Sequence, residues 1–206
     1  MDKKHISKAR RKLRAAARKV TAKRLGNVPR LFYLTDPVRT PDPVKTAKNL
    51  PAGTAIIYRH FGASDKAVRA RQLAKIAKRR HLYLLISADP ELARNVGAAG
   101  VHWPERCVRQ ARYCAGKFGI QTISAHSHKA ISRSHSNRFD AVLVSTVSAS
   151  SSPSAGKAMG SIRFRKLALT TAKPLVGLGG LVPENAASIS GFASIAAIEG
   201  IEAAFN

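Results

Sequence analysis

The sequence predicts a (β/α)8 barrel with a basic N-terminal extension. Three observations lead there. Eight short apolar runs recur between residues 30 and 204, each ends in polar residues or glycine, and helix-patterned segments separate most of them. Continuous apolar runs belong to strands buried on both faces, and their alternation with helices implies a parallel sheet covered by helices. Eight such units in one chain of 206 residues match a compact closed barrel, with a doubly wound open sheet as the alternative.

In chain order, the strand candidates begin with Leu31-Phe32-Tyr33-Leu34, which runs into Thr35-Asp36-Pro37, and Ala55-Ile56-Ile57-Tyr58, which runs into Arg59-His60. Residues 82–86 end at Ser87, and the shorter Gly100-Val101-His102 is the weakest of the eight. Residues 120–123 lead to Ser124, residues 141–144 to Ser145-Thr146, residues 175–178 to Gly179-Gly180, and residues 194–198 to Glu199. Among the helices, 63–80 has a small-residue face of Ala67, Ala70, Ala74 and Ala77, with Ser64 as its expected cap. Segments 89–97, 104–115 and 183–190 each place a proline near the first helical position.

Ahead of the barrel, residues 1–24 hold eleven Lys/Arg and a single acid, Asp2, in a chain of net charge +25. Leu13, Ala16, Ala17 and Val20 offer one narrow apolar stripe at helical spacing before Gly26-Asn27-Val28-Pro29 breaks it. We read 1–28 as a basic arm, partly helical at best and dispensable for the barrel of 29–206. It either extends into solvent or binds nucleic acid or an acidic surface weakly and without sequence preference. It contains no aromatic residue for base stacking. Its Arg-rich, acid-poor character also resembles an organelle transit peptide.

Composition excludes other classes. At 45% hydrophobic residues, global disorder is excluded. No apolar stretch is long enough for a membrane span, and no signal-peptide core is present. Cys107 and Cys114 make neither a disulfide framework nor a C-x-x-C metal motif. A soluble protein of a reducing, cytoplasmic compartment is the default expectation. Nothing in the sequence selects an oligomeric state.

In such a barrel the site forms at the C-terminal ends of the strands. The polar candidates there are Asp36, Arg59, His60, Ser87, His102, Ser124, His126, Ser145, Thr146 and Glu199.

Tyr33-Leu34-Thr35-Asp36, Ala99-Gly100-Val101-His102, Ser124-Ala125-His126-Ser127 and Gly177-Leu178-Gly179-Gly180-Leu181 occur in this order, with the segment Ser150 to Phe164 between the last two. Together they resemble the thiamine phosphate synthase family, which includes the thiazole tautomerases. The resemblance implies a barrel acting on thiazole and pyrimidine phosphates, with Mg2+ where a diphosphate is released. It implies a phosphate site at Gly179 and Gly180, supported by Arg59, Ser124, Ser145 and Thr146. Glycines let backbone N–H groups approach an anion closely, and the guanidinium fork suits an oxyanion. The serine run Ser148 to Ser154 and Lys157 stand where the family has a hydroxyl-rich loop. His126 matches the acid–base histidine of the tautomerase branch, a role that a near-neutral pKa suits. His102 is expected to be structural, and a metal held by His126 and His128 lacks a third ligand in the sequence.

The departures from the pattern are specific. The diphosphate grip retains only Arg59, with Ile57 and Phe61 at the flanking positions. The two metal-binding aspartates correspond to Ala88 and Cys107, and Mg2+ prefers oxygen donors. Magnesium-dependent coupling of the two thiamine halves is therefore expected to be weak unless Asp89 compensates. Glu199 occupies a position beside the phosphate where a like charge repels, unless it turns away or pairs with Arg59 or Lys157. Three functions stay open: an altered enzyme of thiamine metabolism, a silent barrel binding a phosphorylated ligand, and a binder of nucleic acid or an acidic partner.

Overall fold

In the computed structural model, which describes residues 3–21, 25–135, 138–152 and 155–206, eight parallel strands close on themselves in sequence order. They are β1 (Leu31–Leu34), β2 (Ala55–Tyr58), β3 (Tyr83–Ser87), β4 (Gly100–Trp103), β5 (Ile120–Ala125), β6 (Ala141–Val144), β7 (Leu175–Gly177) and β8 (Ser194–Ala197). Pairing of Phe32 with Ala196 joins the last strand to the first, which excludes the open sheet. The weak fourth strand has a packing reason. A Cβ on Gly100 would lie 1.8 Å from the Ile120 carbonyl oxygen, so β4 and β5 approach only because that side chain is missing.

Alternation along each strand sorts the apolar residues into two layers. Phe32, Leu34, Ile57, Leu85, Leu143 and Val176 fill the barrel interior. Tyr33, Ile56, Leu84, Ile86, Val142 and Ile195 face outward, under the helices. Those helices are α1 (Lys3–Arg18), α2 (Pro43–Ala47), α3 (Lys66–Arg80), α4 (Pro90–Asn95), α5 (Val108–Tyr113), α6 (His128–His135), α7 (Ser161–Thr170) and α8 (Glu199–Phe205).

Three helix expectations are corrected. Segment 183–190 contains only a 3-10 turn, Ala186–Ile189, because Asn185 is diverted: its side chain accepts from the Val182 N–H and donates to the Gly180 carbonyl. Segment 104–115 divides into a 3-10 turn, Glu105–Cys107, and α5. Ser64 does not cap α3, whose cap position is Asp65, engaged instead in an ion pair with Arg69 one turn on.

The larger correction concerns residues 1–28, which are not a solvated appendage where they are described. Over its sixteen residues, α1 buries Ala9, Leu13, Ala16 and Ala17 against the barrel, chiefly against α8. Arg10 anchors it there, donating from Nε to the Ala204 carbonyl at 2.7 Å and lying over the Phe205 ring. Val20, Leu25 and Val28 then join the interior cluster and close the N-terminal end of the barrel. Fully burying a Leu or Val side chain stabilises by about 1.5–3 kcal/mol, so Leu13 and Val20, both wholly buried, bind this segment firmly. Residues 1, 2 and 22–24 of the basic segment lie outside the described residues.

Candidate functional site

All strands run the same way, so the segments after them meet at one end. There the structure forms a cavity of about 410 Å3. Of the residues expected from sequence, Arg59, Ser145, Thr146, Gly179 and Gly180 line it together, as do Glu199 and Ser150, Ser151 and Ser152 of the serine run. Pro153 and Ser154 lie outside the described residues. Leu178 and Ile198 give the cavity an apolar floor.

Arg59 is held rigidly. Its backbone N–H donates to Thr35 Oγ1 and its Nε to the Thr35 carbonyl, both at 3.0 Å. Its Nη2 lies 3.5 Å from Asp36 Oδ2. The same carboxylate receives Arg39 Nη2 at 2.9 Å and the backbone N–H groups of Val38 and Arg39. Burial alone would raise the Asp36 pKa, but the Arg39 side-chain bond and these backbone donors pull it down to about 2. Burial also lowers the Arg59 pKa, with Asp36 opposing. Arg39 is a cavity residue that sequence reasoning missed. It sits three residues past Asp36 in an acid-to-base pair, and that spacing after a strand end was the available signal.

The glycines serve close packing. Gly179 and Gly180 have φ of +94° and +63°, and a Cβ on Gly180 would lie 2.0 Å from the Ala149 carbonyl oxygen. Backbone bonds from Val147 to Leu178 and from Ser148 to Gly179 tie the loop after β6 to the loop after β7. Gly200, at the start of α8, also packs closely, since a Cβ there would lie 2.6 Å from the Leu181 carbonyl oxygen. The cavity wall is thus largely backbone, brought near by missing side chains.

Ser124 and His126 do not line this cavity. Ser124, half-buried near the end of β5, has its Oγ 3.0 Å from His102 Nε2, while His102 Nδ1 meets Thr122 Oγ1 at 2.9 Å. His102 is buried in the barrel, and desolvation, reinforced by the Arg59 charge, pushes its pKa down to about 3, so it is a neutral structural group. His126 is more than half exposed and its Nδ1 lies 2.9 Å from Glu105 Oε2, which also accepts the His126 backbone N–H. Glu199 is exposed at the cavity rim and takes part in no ion pair with Arg59 or Lys157 among the described residues.

The Mg2+ that the family resemblance implies does not fit this donor set. Ser87 Oγ is buried without a hydrogen-bond partner, Ala88 has no ligating atom in its side chain, and Cys107 packs against the outer core. Asp89 does not compensate, because it caps α4 through the Leu92 N–H and pairs with Lys66 at 2.6 Å. Asp36 already has its acceptor sites filled by the two arginines and two backbone donors. A hard cation seeking several oxygens finds no cluster of three possible ligands among the described residues, although Glu91 and Glu105 follow β3 and β4 singly. His126 and His128 belong to no group of three possible ligands among the described residues.

Fold and mouth together define a (β/α)8 barrel protein whose strand ends frame a cationic, hydroxyl-rich cavity. The chain belongs to the thiamine monophosphate synthase family, whose TMP-TENI family model matches residues 35–201. It is 26% identical to a thiamine-phosphate synthase of Alcanivorax borkumensis over 83% of this chain and 84% of the relative. It is 38% identical to a thiamine-phosphate synthase of Marinobacter nauticus, in a match spanning 48% of each chain, about half the length of that relative. A solved thiamine phosphate pyrophosphorylase of Pyrococcus furiosus shares the fold, with a TM-score of 0.73 at 18% identity, covering 88% of this chain and 94% of that one. No helix among the described residues is long and apolar enough to cross a membrane.

Proposed function

We propose that the mouth binds a thiazole or pyrimidine phosphate of thiamine metabolism, and that magnesium-dependent coupling of the two thiamine halves is not its main reaction. The observation carrying this reading is the convergence of Arg39 and Arg59 with the Gly179-Gly180 backbone and the hydroxyls of Ser145, Thr146 and Ser150 in one cavity. The arginines neutralise the phosphate, in place of a metal. Glycine-rich backbone and hydroxyls supply neutral donors, and Leu178 and Ile198 offer an apolar surface to a heterocycle. Ser124 is engaged with His102 and stands outside this lining, so it acts through His102 rather than on the ligand.

Within this reading, proton transfer falls to His126. Both ring nitrogens of His102 are engaged, whereas the Glu105 contact at Nδ1 of His126 leaves Nε2 for a substrate. The second reading, a silent binding barrel, is favoured by the position of His126 outside the cavity lining.

The test is a thermal-shift screen of the pure protein with thiazole phosphate, thiamine phosphate, aminopyrimidine diphosphate and inorganic phosphate, followed by activity with and without Mg2+. Stabilisation by a phosphate ester, retained without Mg2+, is the expected result. An Arg59→Gln protein that keeps the full shift would remove the mouth from consideration, and strong magnesium-dependent coupling would refute the second half of the proposal. His126→Asn that slows a thiazole phosphate rearrangement without weakening binding selects the enzyme over the silent barrel.

A further inference from the structure

The N-terminal end of the barrel and the outer face of α1 carry a second cationic surface, which shares no lining residue with the mouth. A cavity of about 480 Å3 there is lined by Arg14, Arg18 and Arg30, together with Tyr83 at the start of β3. A second depression along α1 is lined by Arg10, Arg11, Arg14 and Arg18. Arg14 and Arg18 line both, so the two depressions adjoin, and among the described residues neither lining includes an acidic one. Arg11, Arg14 and Arg18 are exposed and follow helical spacing on one face, spanning about 10 Å at the helical rise. None of them, nor Arg30, joins an ion pair among the described residues; Arg30 Nε is oriented by the Val20 carbonyl at 3.1 Å, which leaves its charge uncompensated.

We propose that this surface is a binding site for single-stranded nucleic acid, with Arg11, Arg14, Arg18 and Arg30 tracking the phosphates and Tyr83 offering a ring for a base to stack on. A positive track beside an aromatic platform is the arrangement that binds single strands without sequence preference. Residues 1–28 contain no aromatic residue, so sequence alone missed the combination: Tyr83 arrives from elsewhere in the chain, 39% exposed on the face of β3 that it shares with Leu85. An anionic membrane is the competing partner for a basic amphipathic helix. The structure disfavours it, because the apolar stripe of Ala9, Leu13, Ala16 and Ala17 is already buried on the barrel and no apolar face of α1 remains to insert.

The experiment uses the full chain, a labelled 20-nucleotide oligouridine, and vesicles of phosphatidylserine and phosphatidylcholine, across 50–200 mM salt. The variants are Arg14→Gln/Arg18→Gln, whose exposed side chains leave packing untouched, the same pair with Arg30→Gln, and Tyr83→Ala. Three phosphate contacts on a single strand give a slope of about −2 in log K against log salt, so the triple variant should lose roughly that slope and bind about tenfold or more weakly at 100 mM. Tyr83→Ala should weaken RNA binding at least about fivefold with the slope unchanged. Thermal melting of each variant separates lost contacts from lost fold. Equal affinity and slope in the folded double and triple variants would overturn the proposal, as would vesicle binding that exceeds RNA binding and is lost in the same variants.

Discussion

The two ends of the barrel use the same side chain in opposite ways. At the mouth, Arg39 and Arg59 are tied to Asp36 and to backbone carbonyl oxygen, and they line a cavity walled by close-packed glycines. Along α1 toward the base, Arg11, Arg14 and Arg18 stand in solvent without a carboxylate among the described residues, on a helix whose other face packs on α8. A tied guanidinium is oriented before its ligand arrives and suits one small anion in a defined pose. Exposed ones suit a long anion held by many weak, salt-screened contacts. A net charge of +25 therefore says little until each arginine is sorted by what holds it.

The largest expected effect breaks the base. A chain beginning at Val28 loses Leu13 and Val20 from the core, and the cost of about 5 kcal/mol or more rivals the whole stability of a marginal domain. Urea denaturation should show it unfolded or close to it; an unchanged midpoint would mean that the buried stripe is energetically idle. Next comes the mouth's wall. Gly180→Ala drives a Cβ into the Ala149 and Ser148 carbonyls at positive φ, so a loss of about 3 kcal/mol is expected from the same measurement, with loss of phosphate-ester affinity.

Acid should act through the mouth end. The unfolded chain takes up a proton at His102 near pH 6.5, whereas in the folded state burial defers protonation to about 3. The stability this withholds is lost as pH falls below 6.5, by about 2 kcal/mol between pH 7 and 5. Burial lowers His60 in the same direction, while Asp36, depressed to about 2, contributes only to losses below pH 4. Denaturation at pH 7 and 5 for the wild type and His102→Asn checks this, and an identical pH dependence in both would remove His102 as the cause.

Arg59→Gln should weaken phosphate-ester binding about tenfold or more, the scale of one lost charge-assisted hydrogen bond, and should lower the melting temperature modestly, because the ties to the Thr35 carbonyl and Asp36 go with it. The smallest effect is the sharpest control: Arg14→Gln/Arg18→Gln should leave phosphate-ester affinity within about twofold, since salt screens charges at the far end of the barrel. A parallel loss at both ends would dissolve the distinction between them.

The eight strands were legible because buried parallel strands need unbroken apolar runs, and those runs ended where the structure ends them to within a residue or two. Their order also placed Arg59, Ser145, Thr146 and Gly179-Gly180 at one end. The packing of α1 was not legible: the stripe of Leu13, Ala16, Ala17 and Val20 shows that a helix can bury a face, but its partner α8 lies some 190 residues away in the chain. The 3-10 turn after Pro183 was hidden by the local competition of Asn185. His126 looked like a site residue from its motif, but only folding revealed Glu105 as its partner, 21 positions earlier.

Ala88 holds a further consequence. Its φ is +54°, a left-handed conformation that disfavours alanine by about 1 kcal/mol and that Asn and Asp adopt more readily. The peptide is locked there by its N–H bond to the His102 carbonyl at 2.9 Å. The family resemblance implies a metal-binding aspartate at this position, and the observed backbone is one that aspartate adopts more readily than alanine. Ala88→Asp therefore meets a backbone already set for it, so a carboxylate can be installed in this loop without added strain.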